Sequence, residues 1–535
     1  IMNQIFLSES SMNQNLNTLS TYSKTEAISN NGMVATKDKL STEAGLEILK
    51  LGGNAVDAGV AACLAVGVVE PESSGIGGGG YMTFQVGENG GVIGFPMKGP
   101  LSGNPDMYEL SGEPSVGSFG WAGVKNDENI HGYKSIAVPG CVAGLLEAHK
   151  RFGKIPLSEV VAPAVKLARK GFFPEWFTLY KFASLTEMLL RYKELGKTFM
   201  PNGSLPFGGI DGPYTLKQPD LANTLEEIGK NGIDAFYRSD ITENIVKDIN
   251  QNGGILTMED FDLYKPFYWE NGLEFKYRDK TIRVPKYACA GITSAMTLKT
   301  LDRFNLSEVA HNSTEMLHLY ISAARLAYAD RFKYVADPDY ADVPWNGLVS
   351  DDYIDKRHKE IKSNAPNEYK PGNPWIQEGR DPKYVLESSQ PRPDSGTTHL
   401  GVIDKDGNAV SITNTIMSGF GSGIIPKETG VVMNNGMMWY DPTPNRVNSI
   451  APGKFPLNNM TPALVLGKDG VEISVGASGG RRITNCVTSL IVKMIDYKMN
   501  PQQAIDEPRV DCSSNTTDVN PDLNSNVVAE LKNQI

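Results

Sequence analysis

A threonine that directly follows a polar, glycine-ended stretch has the most definite chemistry of any residue in this sequence. Residues 394–415 read Asp-Ser-Gly-Thr-Thr-His and continue as two apolar-alternating segments around Asp-Lys-Asp-Gly-Asn, a pattern that predicts two strands joined by a turn. Thr397 stands first on the first strand, after Gly396. Cleavage of the bond between them would free an α-amine beside the threonine hydroxyl, and that amine could act as general base. The stretch therefore predicts a self-cleaving hydrolase, although Thr397-Thr398-His399 alone is a weak signal.

Two glycine-rich runs have a functional interpretation and a purely structural one. Residues 75–80 match the dinucleotide fingerprint in form, but a strand-like run follows at 81–86 where a helix is required, and no acidic residue stands about 20 positions on in a ribose-binding context. We expect this run to let the backbone pass close to another segment. The second run, 476–482, lies between a predicted strand at 471–475 and a predicted helix at 483–495. It is either an anion-binding nest of successive amides or a plain strand-to-helix turn.

Composition is that of a soluble, globular chain. Of the 535 residues, 40% are hydrophobic and 21% are charged, and the formal net charge of −11 disfavours nucleic acid or an anionic membrane surface as a partner. The longest apolar run, 55–69, contains Asp57 and is too short to span a bilayer. The first residues lack the basic start and apolar core of a signal peptide, so we expect a cytoplasmic enzyme, with export through a removed leader left open. The five cysteines and six histidines show no metal spacing, and no metal or cofactor is predicted.

The chain divides by composition into three segments. Residues 1–32 are polar and are predicted to be mobile. Residues 33–396 read as mostly helical, with a polar surface insertion at 101–132, and end in a linker over 360–396 that is rich in Pro, Ser, Asn and Lys. Residues 397–535 are richer in strands and glycine. A helical segment, a linker and a strand-rich segment indicate two pieces that share one core.

Start and stop signals place individual helices. Ser41 is predicted to cap a helix that ends near Leu51. The sequence Asn-Ser-Thr-Glu at 312–315 forms a predicted capping box before an amphipathic helix.

Taken together, these motifs resemble the γ-glutamyltranspeptidase family of N-terminal-nucleophile hydrolases. The similarity runs over nearly the whole ordered chain. It is carried by motifs in the family's order: Thr42-Glu-Ala-Gly-Leu-Glu-Ile-Leu, Gly52-Gly-Asn-Ala-Val-Asp-Ala, Val69-Glu-Pro, Ser74-Gly-Ile-Gly-Gly-Gly-Gly, Val138-Pro-Gly, Ala324-Arg-Leu-Ala-Tyr-Ala-Asp-Arg, Thr397-Thr-His, Phe420-Gly-Ser-Gly, Asn434-Asn, and Ser478-Gly-Gly with Arg482.

The resemblance implies an α+β fold, namely an αββα sandwich of the N-terminal-nucleophile (Ntn) hydrolases formed jointly by large and small subunits. The precursor would cut itself between Gly396 and Thr397. The products, 33–396 and 397–535, would stay associated as a heterodimer. Two such heterodimers could in turn associate as a dimer of heterodimers.

The resemblance also assigns catalytic roles by matching position. Thr397 would be the nucleophile and, through its new amine, the base. Thr415 would be the second threonine, whose hydroxyl bonds the nucleophile, and Gly479 and Gly480 would supply the oxyanion-hole amides. The substrate would be a small-molecule amide.

Positions that hold the γ-glutamyl head in the family differ in this chain. Members bind the donor's α-carboxylate with an arginine and its α-amine with acidic and amide groups. The matching positions read Pro96-Met97-Lys98, with Pro96 in place of the arginine, Met417 in place of an asparagine, Gly436-Met437-Met438-Trp439 in place of the acidic and amide groups, and Asn458-Asn459 in place of a Ser-Ser pair near the lid. Because a buried charge without partners costs several kcal/mol, this site would hold a zwitterionic head poorly.

These differences predict an apolar acyl pocket and the hydrolysis of another amide, as in acylases of the cephalosporin type or small-amide hydrolases. Lys98, Arg446 or Arg481 could still supply one positive charge, although solvent exposure is the simpler expectation for each. The first alternative is true γ-glutamyl transfer or glutathione hydrolysis with Lys98 in place of the arginine. An uncleaved, non-catalytic binding protein is the second, and a dinucleotide-dependent oxidoreductase is a distant third. The family continues past 508–510 with further strands, so we expect a small subunit that is short at its C-terminus.

Overall fold

The computed structural model describes residues 25–114, 121–208, 214–362, 368–383, 386, 396–514 and 516–534. Most of the predicted mobile segment, 1–32, and part of the predicted linker, 360–396, lie outside the described residues.

The secondary-structure elements are numbered here along the described chain. The strands are β1 (Gly32–Ala35), β2 (Gly79–Val86), β3 (Asn89–Phe95), β4 (Leu110–Pro114), β5 (Ala122–Val124), β6 (Phe267–Glu270), β7 (Leu273–Tyr277), β8 (Lys280–Val284), β9 (Thr398–Asp404), β10 (Ala409–Thr415), β11 (Ala463–Gly467), β12 (Gly470–Val475), β13 (Val510–Asp511) and β14 (Asp518–Val519). The α-helices are α1 (Lys39–Lys50), α2 (Ala55–Val69), α3 (Cys141–Phe152), α4 (Leu157–Lys170), α5 (Trp176–Ser184), α6 (Thr186–Arg191), α7 (Lys193–Phe199), α8 (Pro219–Asn231), α9 (Asp234–Tyr237), α10 (Asp240–Gln251), α11 (Met258–Asp262), α12 (Gly291–Leu301), α13 (Thr314–Tyr334), α14 (Trp345–Val349), α15 (Asp351–His358), α16 (Trp375–Glu378), α17 (Arg482–Ile495), α18 (Pro501–Asp506) and α19 (Ser525–Gln534).

Two antiparallel sheets form the centre of the molecule. The first has the order β1-β9-β10-β2-β3-β6, and the second has the order β12-β11-β8-β7. In the first sheet, β9 and β10 come after Thr397 in the chain, yet they lie between β1 and β2, which precede it. In the second sheet, β11 pairs with β8 in the same way. The segments on either side of residues 396 and 397 therefore share both sheets.

The two sheets lie face to face. The Ser411 hydroxyl donates to the carbonyl of Val475 at 3.0 Å, and the Ser474 hydroxyl donates to that of Val410 at 2.9 Å. Helix α2 covers the outer side of the first sheet, where a Cβ built on Gly59 would lie 2.7 Å from the Val410 side chain. Helices α12, α13 and α17 form a second core with the second sheet. This layering is the αββα sandwich, and it confirms the predicted fold class.

Helix α2 occupies the predicted range, and its start is set by Asn54. The Asn54 side chain accepts from the backbone of Val56 and Asp57, while the Asp57 carboxylate accepts from the backbone of Asn54. Every residue of α2 is buried, because its small side chains allow the sheet to pack closely against it.

Two predicted helix starts and the predicted insertion need correction. Helix α1 begins earlier than predicted, because Asp38 rather than Ser41 accepts from the first backbone amides. In α13 the cap is Ser313, one residue after the predicted position, and it accepts from Met316. The insertion at 101–132 does not lie wholly on the surface, since Tyr108 and Trp121 belong to a buried apolar cluster.

A carboxylate holds the turn that joins β9 to β10. Asp404 accepts from the backbone of Asp406 and Asn408 at 2.9 and 3.0 Å, and Gly407 adopts a φ of +81°. The same carboxylate accepts from the Ala55 amide at 3.0 Å, so the turn also fixes the start of α2. Within the described residues, no helix is both long and apolar enough to cross a bilayer.

The glycine run at 75–80 allows the close backbone approach that its sequence predicts. A Cβ built on Gly77 would lie 2.2 Å from the carbonyl oxygen of Val432, one on Gly78 would lie 2.1 Å from that of Thr415, and one on Gly80 would lie 2.1 Å from that of Thr413. A larger residue at Gly78 or Gly80 would push β10 away, and β10 ends at the predicted catalytic residue Thr415.

We expect Gly80→Ala to lower the free energy of unfolding by about 3 kcal/mol, the upper end of overpacking costs. The control is Gly87→Ala, where a Cβ would meet nothing within 4 Å and only the φ of +54° is strained, at a cost of about 1 kcal/mol. Urea unfolding of both variants measures the difference. Equal losses would contradict the role given to backbone proximity.

Candidate active site

The hydroxyls of two threonines converge on one carbonyl oxygen. Thr415 donates to the carbonyl of Gly396 at 2.7 Å, and the Thr397 hydroxyl contacts the same oxygen and lies 3.3 Å from the Thr415 hydroxyl. The Met417 amide donates to the Thr415 oxygen at 2.8 Å. Because that amide occupies a lone pair of Thr415, the Thr415 proton is directed at Gly396.

Strand pairing explains why these residues meet. Asn414 on β10 pairs with Thr398 on β9, and Thr415 pairs with Gly79 on β2. Thr397 stands one residue before the Thr398–Asn414 pair and Thr415 one residue after it, so the antiparallel register makes them neighbours. Both are nearly inaccessible to solvent, with exposed fractions of 7% for Thr397 and 0% for Thr415.

The second sheet places the end of β12 beside the start of β9. A Cβ built on Gly401 would lie 2.8 Å from the Ser474 hydroxyl, and one built on Gly476 would lie 2.2 Å from the His399 ring. Residue 401 of β9 thus faces residue 474, and residue 399, nearer the start of β9, faces residue 476. Gly476, the first residue after β12, therefore lies beside His399, two residues after Thr397.

Gly479 and Gly480 have the conformation and the free donors that an anion-binding turn requires. Their φ angles are +117° and +61°, which favour glycine. Within the described part of the chain, neither amide donates a hydrogen bond, while their carbonyls accept from the first residues of α17. Successive free amides before a helix can stabilise a negative oxygen.

His399 is a neutral neighbour of the site. Its Nδ1 lies 3.1 Å from the Thr413 hydroxyl, and burial lowers its pKa to about 4, because the interior disfavours the charged ring. It therefore carries no charge at neutral pH. The α-amine that cleavage would create has a reference pKa of about 7.7–8.0 and would titrate closer to neutral pH than this ring does.

Five of the predicted donor-site residues meet in one buried apolar cluster. Met97, Met417, Met437, Met438 and Trp439 all belong to it, and none is more than 4% exposed. A 3₁₀ turn, Gly436–Trp439, presents the last three of them.

The neighbours of this cluster fix its shape. A Cβ built on Gly436 would lie 3.1 Å from that of Met97. The carbonyl of Pro96 accepts from the Tyr264 hydroxyl at 2.6 Å, which holds this segment in place. Met417 has a φ of +87°, a region that is strained for any residue with a side chain.

Asn458 and Asn459 use their side-chain amides within the protein. Asn458 donates to the Tyr81 hydroxyl at 3.0 Å and to the Ala288 carbonyl at 2.8 Å. The Asn459 side-chain oxygen accepts from the buried guanidinium of Arg331 at 3.1 Å. These contacts tie the segment to β2 of the first sheet, to the loop between β8 and α12, and to α13.

The three candidate cations occupy different environments. Lys98 is half-buried, with its ammonium 5.4 Å from the centre of the Phe455 ring, and Arg446 is also half-buried. Arg481 is 3% exposed, so the expected solvent exposure is wrong for it. Its guanidinium lies 4.6 Å from the Phe332 ring and donates to the Ser513 carbonyl. Arg481 is thereby engaged by another segment.

Two buried asparagines, Asn434 and Asn435, hold segments around the candidate site through contacts that the sequence motifs did not predict. Asn434 donates to the carbonyls of Gly77 and Ala137 at 2.7 and 2.8 Å. Asn435 donates to the Ser418 hydroxyl at 2.6 Å and accepts from the Ser418 amide at 3.1 Å. The Asn-Asn pair was a family signal, but its partners lie far away in the sequence, so only the structure gives its role.

An αββα sandwich with a threonine at the head of a central strand is the architecture of an N-terminal-nucleophile hydrolase. Residues 41–534 match the family model described as gamma-glutamyltranspeptidase. The chain is 34% identical over 499 residues to the glutathione hydrolase proenzyme of Bacillus subtilis (strain 168), over 90% of this chain and 81% of that protein. It is 32% identical over 493 residues to the Acylase ACY 1 proenzyme of Pseudomonas sp. (strain V22), over 92% and 84% of the two chains.

A solved structure agrees. The cephalosporin acylase from Bacillus halodurans aligns with a TM-score of 0.83 and 27% identity, over 96% of this chain and 90% of that one. The chain belongs to the γ-glutamyltranspeptidase family and is an Ntn-type amide hydrolase or acyltransferase, as its sequence predicted.

The depressed pKa of His399 predicts a loss of stability in acid. The unfolded chain binds a proton at this ring below pH about 6.5, while the folded chain does so only near 4, so stability is complete above 6.5 and falls as the pH drops toward 4. Between pH 7.5 and 4.5 the protein should lose about 2–3 kcal/mol more than His399→Gln does. Urea unfolding at the two pH values measures this, and identical pH dependence in both proteins would contradict it.

Proposed function

We propose that the chain cleaves itself between Gly396 and Thr397 and that Thr397 then attacks an amide whose acyl group is apolar rather than a standard γ-glutamyl group. Water or an amine would release the acyl group. The observation that carries the first part is the convergence of the Thr397 and Thr415 hydroxyls on the Gly396 carbonyl.

The contacts at the junction support the cleavage step. The Thr397 oxygen attacks the Gly396 carbonyl carbon, the C–N bond breaks, and the nitrogen takes up the hydroxyl proton, which gives an ester. Water then hydrolyses the ester and leaves a Gly396 carboxylate and a free Thr397 amine. Charge develops on the Gly396 oxygen during the attack, and the Thr415 hydroxyl at 2.7 Å is placed to stabilise it.

The same threonine serves turnover once its amine is free. An α-amine has a reference pKa of about 7.7–8.0, so a useful fraction is unprotonated at neutral pH and can accept the hydroxyl proton. The unpaired amides of Gly479 and Gly480 would bind the oxygen of the tetrahedral intermediate. Thr415 would continue to bond the nucleophile.

The apolar cluster supports the assignment of the acyl group. The positions that hold a charged head in the family are taken here by buried Met97, Met417 and the turn Gly436–Trp439. An α-carboxylate or α-ammonium placed among thioethers and an indole would lose its hydration without gaining partners. The similarity to two acylases is consistent with this proposal.

True γ-glutamyl transfer is the second candidate, because one cation remains in the segment where the family has its arginine. Lys98 follows Pro96 and Met97 directly, and a Cβ built on Gly453 would lie 3.7 Å from its ammonium. Glutathione hydrolases are also among the relatives. An uncleaved binding protein is the third candidate. Cleavage of the unmodified chain in the test below would exclude it, and a single persistent chain would support it.

The cleavage test uses Thr415→Val, which keeps the shape and removes the hydroxyl. Loss of one oxyanion donor typically costs on the order of 3 kcal/mol, so self-cleavage should slow by about 100-fold. Denaturing electrophoresis after synthesis measures the rate. The control is Thr413→Val on the same strand, whose hydroxyl bonds His399 and which should cleave normally. Equal rates in both variants, or no cleavage in the unmodified chain, would overturn the proposal.

The donor test compares an apolar acyl anilide with γ-glutamyl anilide. We expect the ratio of kcat/KM values to favour the apolar donor, and Met417→Asn to shift that ratio toward γ-glutamyl by about 10-fold or more, since it replaces an apolar contact with a polar one. The half-buried Met499 lies in the second core, so Met499→Asn is the control. A wild-type preference for γ-glutamyl anilide would support the second candidate instead.

A further inference from the structure

Large apolar side chains stand open to solvent on the segment 173–190, which contains α5 and most of α6. Four large side chains, Phe173, Trp176, Tyr180 and Leu190, are exposed to 46%, 75%, 61% and 70%. We call these four residues the aromatic face. Single exposed apolar side chains are ordinary, but a group of this size on one segment marks an interaction site.

The exposure follows from the helix pattern. On α5, Thr178, Leu179 and Phe182 are buried, while Trp176 and Tyr180 lie one turn apart on the opposite side. The ring of Phe177 joins them, at 5.6 Å from Trp176 and 6.3 Å from Tyr180. Helix α5 packs against the protein through its inner side only, so packing within this chain does not explain why aromatic residues occupy its outer side.

The inner side of this segment rests on the loop that follows Thr415. Phe182 and Phe199 lie 5.2 and 5.1 Å from the ring of Phe420. A Cβ built on Gly419 would lie 2.6 Å from Leu185. The aromatic face therefore belongs to a helical layer packed directly against a loop of the candidate site.

Charge distinguishes this segment from the rest of the chain. Residues 169–197 contain six Lys or Arg and three Glu, while the whole chain has a net charge of −11. The Lys181 ammonium lies 5.7 Å from the Phe177 ring. Lys170, Arg191 and Lys193 are exposed in the same segment. The segment is thus basic and aromatic within an acidic protein.

We infer that the aromatic face docks on an anionic lipid surface. Tryptophan and tyrosine rings settle at the boundary between headgroups and acyl chains, where one edge is apolar and the other is wet. Flanking lysines and arginines add attraction to anionic headgroups. The net charge of the whole chain opposes such contact, and the local positive charge offsets that repulsion at this face. With so few anchoring residues, binding is reversible and weak.

Co-sedimentation of the full chain with lipid vesicles tests the inference. At low salt, vesicles of phosphatidylcholine with about 30% phosphatidylglycerol should retain at least roughly fivefold more protein than phosphatidylcholine alone. Raising the salt to about 0.5 M should remove most of that difference. The double variant Trp176→Ser/Tyr180→Ser should lose at least roughly fivefold in binding.

The matched control replaces two exposed apolar residues elsewhere, Ile376→Ser/Ile505→Ser, which are 64% and 51% exposed. Its binding should equal that of the unmodified chain. Circular dichroism and thermal melting check that both variants fold. No binding, equal binding to neutral vesicles, or full binding by the aromatic-face variant would overturn the inference. The inference would also be overturned if the aromatic-face variant lost self-association or binding to a protein partner while its binding to vesicles stayed unchanged.

Discussion

Thr415 places its hydroxyl 2.7 Å from the carbonyl oxygen of Gly396, and much of the fold serves to hold that distance. The Met417 amide fixes the orientation of the hydroxyl. Strand β10 carries Thr415 beside the start of β9. Because Gly77, Gly78 and Gly80 have no side chains, their backbone lies close to the loop at 431–433 and to β10, at distances that a Cβ would not allow. If β10 moved outward by an ångström, Thr415 would lose its hydrogen bond to the Gly396 carbonyl, because a hydrogen bond weakens steeply beyond its normal length.

The catalytic half and the recognition half of the site are held by different means. Thr397 and Thr415 depend on backbone pairing, which follows from strand register and tolerates changes in nearby side chains. The proposed donor pocket depends on side chains: Met97, Met417 and the turn Gly436–Trp439 meet in one apolar cluster. Under the proposed function, replacing the residues of this cluster would change the substrate while the strand pairing that holds the two threonines stays the same.

Local features of this fold could be predicted from the sequence, and long-range side-chain contacts could not. Helix α2 follows from its uniform small apolar residues and the Asn54 cap, and β9 and β10 follow from alternation around Asp404 and Gly407. The start of α1 could not be placed, since Asp38 and Ser41 are equally good caps in isolation. The buried position of Arg481 depends on Phe332 and Ser513, and the role of Asn434 depends on Gly77 and Ala137. No local sequence pattern indicates which distant residues will contact these side chains.

Stepwise amino-terminal sequencing of the purified protein, together with its intact mass, tests the central claim most directly. The account predicts two polypeptides in equal amount, one of which begins Thr-Thr-His at Thr397, and a single uncut chain for Thr397→Ala. A wild-type protein that remains one chain, or an alanine variant that is still cut at the same bond, would contradict it.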